Sequence, residues 1–246
     1  WQDFAHLVWG GVGMFLVARR LVGSPVAACV AALAWSLAGY NTSQWTAGLR
    51  MVAGAWVPWA AVGHLALLDS LRPGSRRWPM GAVKAALPTA FGLLVGEVFV
   101  AMMGVGFALA TTAAAEVLER RRDPARARFR TRWLGVFALA PALAAGVAAV
   151  AFVPAHALKG STERAAPLSR ADAEGSSLHP ARLVELVAPD SMGNSEGFQP
   201  AARWIAEPRL GGTPVSHSLY LGASVVALAL AAFGRRRTLA WVLGAL

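Results

Sequence analysis

Four polar side chains in the sequence are of the types that bind an anionic substrate: Glu97, Arg164, His179 and Asp190. A carboxylate can activate a hydroxyl group or hold a divalent cation, and a histidine can transfer a proton near neutral pH. The planar guanidinium of Arg164 matches the oxygens of a phosphate. We therefore interpret these residues as substrate-binding candidates, whereas the sequence assigns no catalytic residue and no metal ligand.

Each candidate also has a purely structural interpretation. Glu97 can cap a helix or pair with an arginine near the same surface, and this alternative stays as open as a functional one. His179 precedes Pro180, which suits the first turn of a helix, so a helix-start role is favoured over a role as a base. Arg164 can be a solvated surface residue, and Asp190 lies in a stretch rich in turn-forming residues.

The composition places these residues in a membrane protein. Of 246 residues, 56% are hydrophobic and 15% are charged, whereas about 25% of the residues in an ordinary soluble domain are charged. The net charge of +10 arises in short connectors between apolar stretches, which favours membrane topology over a nucleic-acid surface. The single cysteine, Cys29, excludes a disulfide within the chain.

The apolar stretches predict an all-α polytopic membrane protein, with about seven complete transmembrane helices and the start of another. The predicted spans are 4–22, 25–40, 51–68, two within 80–115, 133–154, 219–233, and a last one from residue 238. One helix over 80–115 would measure about 54 Å, against a hydrocarbon core of about 30 Å. This stretch is therefore predicted to be a hairpin whose tip lies near Gly96 and Glu97.

The basic residues predict which connectors face the cytoplasm. Most of the 23 lysines and arginines lie in four connectors, which are 19–20, 69–79, 116–132 and 234–237. A hairpin at 80–115 places all four on one side, and the positive-inside rule makes that side cytoplasmic. The connector 41–50 and Glu97 are then at the outer surface. A charge at the centre of the membrane would instead cost about 3 kcal/mol on insertion scales.

The predicted spans divide the chain into a transmembrane region at 1–154, an extracytoplasmic loop at 155–217 and a truncated transmembrane region at 218–246. The loop lies between the sixth and seventh predicted helices. Residues 180–188 predict a short helix within it, with leucines and valines on one side, which could lie along the membrane interface. A polar segment of this length is usually functional or disordered.

Several stretches together resemble the YfhO-like bacterial membrane proteins. They read FVPAHALKGSTER at 152–164, SSLHPARLVELVAPDSMGN at 176–194 and SLYLGASVVALALAAF at 218–233. The family pattern includes a helix that ends in proline, a helix-forming HP segment, a P…G turn and a Y-G start of the next helix. AWSLAGYNTSQW at 34–45 and LLVGEVFVAMMGVGFAL at 93–109 fit the same family, so the resemblance covers most of the chain.

The resemblance implies a GT-C-like fold in the bacterial cytoplasmic membrane. Proteins of that fold transfer a sugar from a polyprenyl-phosphate donor at the extracytoplasmic face, and family members are linked to glycosylation of cell-envelope polymers. The implied partners are the lipid bilayer, the polyprenyl-phosphate sugar donor and a glycopolymer acceptor. The essential carboxylate of the fold would precede Trp1, so the sequence is expected to be a fragment without it. The cofactor is unknown, with a divalent cation in the full-length protein left open.

Two functions therefore stay open. The first is a glycosyltransferase that uses a lipid-linked sugar; the second is a non-catalytic polytopic protein, either a transporter or an envelope assembly factor. Transporters often contain repeated halves and broken or charged helices near the membrane centre. The sequence shows no internal repeat and few charges within spans, which favours the first. An acidic motif in the first outer loop of the complete N-terminal sequence would support it further.

Overall fold

The computed structural model describes residues 1–38, 41, 49–71, 75–122, 130–162, 169, 183–184 and 186–188. The regular secondary structure of the described residues is helical, and these residues include no strand. The helices are α1 (Gln2–Val22), α2 (Pro25–Ser36), α3 (Leu49–Ser70), α4 (Trp78–Leu94), α5 (Val98–Arg122) and α6 (Arg130–Leu158), followed by a 3₁₀ turn at Lys159–Ser161.

Four helical segments are long and apolar enough to cross a membrane: Gln2–Val22, Arg50–Ser70, Val98–Glu119 and Ala138–Ser161. The helices α2 and α4 are shorter, with 12 and 17 residues, which correspond to about 18 Å and 26 Å. The all-helical prediction, with several candidate membrane-spanning helices, is thus confirmed for the described part of the chain. The predicted spans at 219–233 and from residue 238 lie outside it.

The stretch 80–115 forms a helical hairpin, so this prediction from the sequence is confirmed. Helix α4 ends at Leu94 and α5 begins at Val98. Between them Gly96 has a φ of 90°, a left-handed conformation that glycine adopts without steric cost. Its N–H group donates to the Leu93 carbonyl at 2.9 Å. Glu97 therefore lies at the tip of the hairpin and not within a helix.

Local capping separates α1 from α2. Gly23 has a φ of 82° and donates its N–H group to the Arg19 carbonyl at 3.0 Å, which is a common way to end a helix. The Ser24 hydroxyl accepts a hydrogen bond from the Ala27 N–H group at 3.3 Å, and Pro25 occupies the first position of α2. The chain consequently reverses within two residues.

The helix α2 ends four residues earlier than the predicted span 25–40, because local hydrogen bonds replace those of a continued helix. The Trp35 carbonyl would accept from residue 39 in such a helix. The Trp35 carbonyl accepts from the Ala38 N–H group at 3.4 Å and from the Asn41 side-chain amide. A side-chain donor of this kind is one of the usual substitutes at a helix end.

The bundle packs small residues inside and exposes large apolar ones. On α6 the alanines 140, 144 and 148 are at most 1% exposed, and they recur every four residues on one face. Leu143, Val147 and Val150 on the same helix are 41% to 74% exposed. Close contacts between small residues are typical of membrane helices, since lipid tails solvate large apolar side chains as well as a protein core does.

The order of alanine contacts shows that α6 runs parallel to α4. Ala82 and Ala85 lie in one cluster with Ala140, and Ala86 and Ala90 lie in the next cluster with Ala144. Both helices therefore begin at the same end of the bundle, in agreement with the number of membrane crossings predicted from the sequence.

Charged contacts mark two opposite ends of the bundle. Arg20 of α1 contacts Asp69 of α3, at 3.0 Å, and Glu119 of α5; we call this the Arg20 end. Arg50 at the start of α3 contacts Glu97 at 3.3 Å; we call this the Arg50 end. Arg50 and Asp69 are about 29 Å apart along α3, close to the thickness of a hydrocarbon core. The described residues of the predicted cytoplasmic connectors 19–20, 69–79 and 116–132 adjoin the Arg20 end, and the connector 234–237 lies outside the described residues.

Cysteine labelling tests this topology. In a Cys29→Ser background, which removes an exposed thiol, we expect Thr162→Cys to react with an impermeant thiol reagent added outside the cell. We expect Arg76→Cys to be protected until the membrane is permeabilised, because position 76 adjoins the Arg20 end, which is predicted to face the cytoplasm. Both replaced residues are exposed in the fold. Labelling of the two positions in the opposite pattern would overturn the predicted orientation.

Candidate functional site

The Arg50 end brings one predicted site residue, Glu97, together with a partner. The Nε–H group of Arg50 donates to Oε1 of Glu97 at 3.3 Å. Since Arg50 lies in the first turn of α3 and Glu97 directly precedes α5, the contact joins the starts of two helices. The two side chains are 34% and 27% exposed, so solvent reaches the pair. Of the interpretations left open by the sequence, the structure shows pairing with an arginine of the predicted outer surface.

An apolar cluster supports the pair from the interior. Ala53 and Val57 follow Arg50 on the same face of α3, and they pack with Val100 of α5. Trp35 of α2 packs against this cluster and stacks with Phe107, their ring centroids 6.2 Å apart. The charged pair thus lies where an apolar interior meets the end of the bundle, and electrostatic interactions are stronger there than in water.

Asn41 is a further polar residue at the Arg50 end. Its side chain is 5% exposed and donates to the Trp35 carbonyl. A Cβ atom added to Gly54 would lie 3.5 Å from the Asn41 Oδ1, and Gly54 is one helical turn from Arg50. No sequence pattern singled out Asn41 as a site residue, although its place in the predicted outer connector 41–50 was a usable signal. Asn41 opens the glycosylation pattern NTS, but its buried and bonded amide is not accessible for modification.

The other three candidates, Arg164, His179 and Asp190, lie outside the described residues. Their role as substrate-binding residues therefore stays a prediction. Of the predicted short helix at 180–188, the structure describes one turn, in which the N–H groups of Val187 and Ala188 donate to the Val184 carbonyl at 3.1 and 3.0 Å. Leu183, Val184 and Val187 in this turn are 46% to 53% exposed.

The Arg20 end holds a charged group that the sequence analysis did not single out. Nη2 of Arg20 donates both to Oδ1 of Asp69, at 3.0 Å, and to Oε1 of Glu119. The three side chains come from α1, α3 and α5 and are 20% to 41% exposed. One guanidinium that bridges two carboxylates has a structural role: it links α3 to α5, whose other ends carry Arg50 and Glu97.

Polar side chains within the helices bond to their own backbone. The hydroxyl groups of Thr89, Thr111 and Thr112 donate to carbonyls three or four residues earlier. The fully buried His64 donates from Nδ1 to the Ala60 carbonyl at 2.8 Å. His64 lies about 21 Å along α3 from Arg50, too far to act with Glu97. Within the described residues, no group of three or more histidines, cysteines and acids is arranged to hold a metal ion.

Comparison of the chain with protein-family models, with curated proteins and with solved structures gave no match. The resemblance to the YfhO-like proteins accordingly stays a prediction from the sequence. The site is interpreted from its own geometry, which is a solvent-accessible arginine–glutamate pair at one end of a bundle of apolar helices.

Proposed function

We propose that the chain is part of an integral membrane glycosyltransferase of the bacterial cytoplasmic membrane, which transfers a sugar from polyprenyl phosphate to a cell-envelope glycopolymer. The observation that supports this best is the Arg50–Glu97 pair at the end predicted to face outward. A site for such a reaction must be open to the bilayer, which holds the lipid donor, and to water, which holds the polymer. A pair at the end of a helical bundle meets both needs.

The reaction makes one bond and breaks one bond. A hydroxyl oxygen of the acceptor attacks the anomeric carbon of the sugar, and the bond from that carbon to the phosphate oxygen breaks. The phosphate leaves with the bonding electrons, and a base takes the proton of the hydroxyl group. Cationic donors that meet the departing phosphate lower the barrier. None of the described residues is assigned as this base.

Arg50 is the group proposed to meet the phosphate, and Glu97 is a positioning residue. A guanidinium has five N–H donors, and the contact with Glu97 uses the one on Nε. The N–H groups on Nη1 and Nη2 can then donate to two oxygens of a phosphate in a bidentate arrangement. Glu97 restricts the rotation of the guanidinium, so that less conformational entropy is lost when the phosphate binds.

Sugar transfer by the full-length protein in membrane vesicles tests this proposal. We expect Arg50→Gln to lower transfer by a factor of about 100 or more, as the loss of one donor to a developing anion does in other enzymes. Glu97→Gln is expected to raise the KM for the donor more than it lowers kcat. The control is Arg121→Gln, an exposed arginine at the opposite end, which should transfer sugar normally. Full activity of both Arg50 and Glu97 variants, at normal membrane levels, would refute the proposal.

A second candidate function is that of a non-catalytic transporter or assembly factor. It is favoured because Arg50 and Glu97 pair with each other. Arg50 and Glu97 join α3 to α5, as a purely structural pair would. The doubly substituted protein Arg50→Glu/Glu97→Arg separates the two functions. A structural pair tolerates this exchange and keeps both stability and transport or assembly, whereas a phosphate site keeps stability but loses transfer.

A further inference from the structure

One exposed face of α4 carries Lys84 and three apolar side chains. Arg77, which directly precedes the helix, continues this face at the Arg20 end. The members of this face recur at helical spacing, and we call them the α4 stripe: Arg77, Met80, Lys84, Leu87 and Phe91. Met80, Leu87 and Phe91 are 43% to 58% exposed, and both cations are exposed as well. The opposite face of α4 is formed by buried alanines that pack on α3 and α6.

Lys84 is the unusual member of the α4 stripe. It lies about 10 Å along the helix from Arg77, within an apolar helix and not in a connector, so the positive-inside rule does not account for it. None of the ion pairs in the described part of the chain involves Arg77 or Lys84. Side chains of a helix tilt toward its N-terminus, which for α4 is the Arg20 end. The ammonium group therefore extends toward Arg77 and toward the membrane surface.

The α4 stripe continues into a row of aromatic side chains. Phe91 stacks on Trp56 of α3, with ring centroids 4.9 Å apart, and Trp56 meets Trp9 of α1 edge to face at 5.8 Å. Trp9 in turn stacks on Trp59 at 4.2 Å. Since α1 and α4 both pack on α3, these rings cover the surface of α3 between the two neighbouring helices. The result is a continuous apolar surface beside Phe91.

We propose that the α4 stripe binds one anionic phospholipid of the cytoplasmic leaflet. Its phosphate lies between Arg77 and Lys84, and one acyl chain follows Leu87 and Phe91 toward the aromatic row. Charge complementarity favours this ligand, because the two exposed cations match an anionic headgroup. The apolar side chains that follow them match the acyl chain of the lipid. A zwitterionic headgroup supplies no net charge, so it binds more weakly. This proposal is independent of the proposed sugar transfer.

Native mass spectrometry of the full chain in mild detergent, with equal amounts of phosphatidylglycerol and phosphatidylcholine, tests the proposal. We expect the wild-type protein to retain phosphatidylglycerol preferentially. Lys84→Met and Arg77→Gln are each expected to weaken phosphatidylglycerol binding by about fivefold and to leave phosphatidylcholine binding unchanged. Lys84→Arg keeps the charge and should keep the lipid. The matched control is Arg121→Gln, which removes an exposed cation from the same end of the bundle but not from the α4 stripe.

Three results would overturn the proposal. One is equal binding of the two lipids by the wild-type protein, and another is unchanged phosphatidylglycerol binding by Lys84→Met. The third is an equal loss of phosphatidylglycerol binding in Arg121→Gln, which would mean that the Arg20 end attracts anionic lipid only through its total charge. If Lys84→Met does not fold, Arg77→Gln decides: reduced phosphatidylglycerol binding supports the α4 stripe, and unchanged binding refutes it.

Discussion

The substitution Gly63→Leu is expected to separate α3 from α4 and to leave little folded protein. A Cβ atom at position 63 would lie 2.8 Å from the Cα of Ala85 and 2.9 Å from the carbonyl carbon of Lys84. These are backbone atoms of α4, so they cannot rotate aside as the end of a flexible side chain would. Forcing extra methylene groups into a packed interior costs about 1–3 kcal/mol, and more when the backbone must move.

The measurement for Gly63→Leu is the yield of monodisperse protein in detergent and its thermal unfolding midpoint. The matched control is Gly106→Leu on α5, where a Cβ atom would meet nothing within 4 Å. The control should purify and unfold as the wild-type protein does. Equal behaviour of the two leucine variants would show that the contact between α3 and α4 does not depend on a residue as small as glycine at position 63.

The substitution Arg20→Met is expected to destabilise the bundle by about 1–3 kcal/mol. Without the guanidinium, the carboxylates of Asp69 and Glu119 remain close together and repel each other. Loss of one partner from a buried ion pair costs about 3–5 kcal/mol. The effect here is smaller, because the three side chains are 20% to 41% exposed and solvent screens half-exposed charges.

Thermal unfolding of purified variants measures the effect of Arg20→Met. Arg19→Met removes a neighbouring exposed cation and should leave the unfolding midpoint unchanged. Arg20→Met/Glu119→Gln removes the repulsion and should recover part of the lost stability. If Arg19→Met and Arg20→Met behave alike, the two contacts of Arg20 contribute nothing beyond general charge, and the structural role assigned to this group is wrong.

The hairpin and its position could be predicted from the sequence, because both depend on local quantities. The stretch 80–115 is too long for one membrane crossing, and Gly96 supplies the left-handed residue that the turn requires. The reversal at Gly23 and Pro25 likewise follows from the conformational preferences of these residue types. The positions of the arginines predicted which connectors lie on the same side, since the positive-inside rule uses the place of each arginine in the chain and no tertiary contact.

The partners of the charged residues were decided only by the tertiary structure. Arg50 and Glu97 are 47 positions apart, and Arg20 is 49 and 99 positions from its two carboxylates. No local pattern relates residues at such distances, because which charges meet depends on which helices pack together.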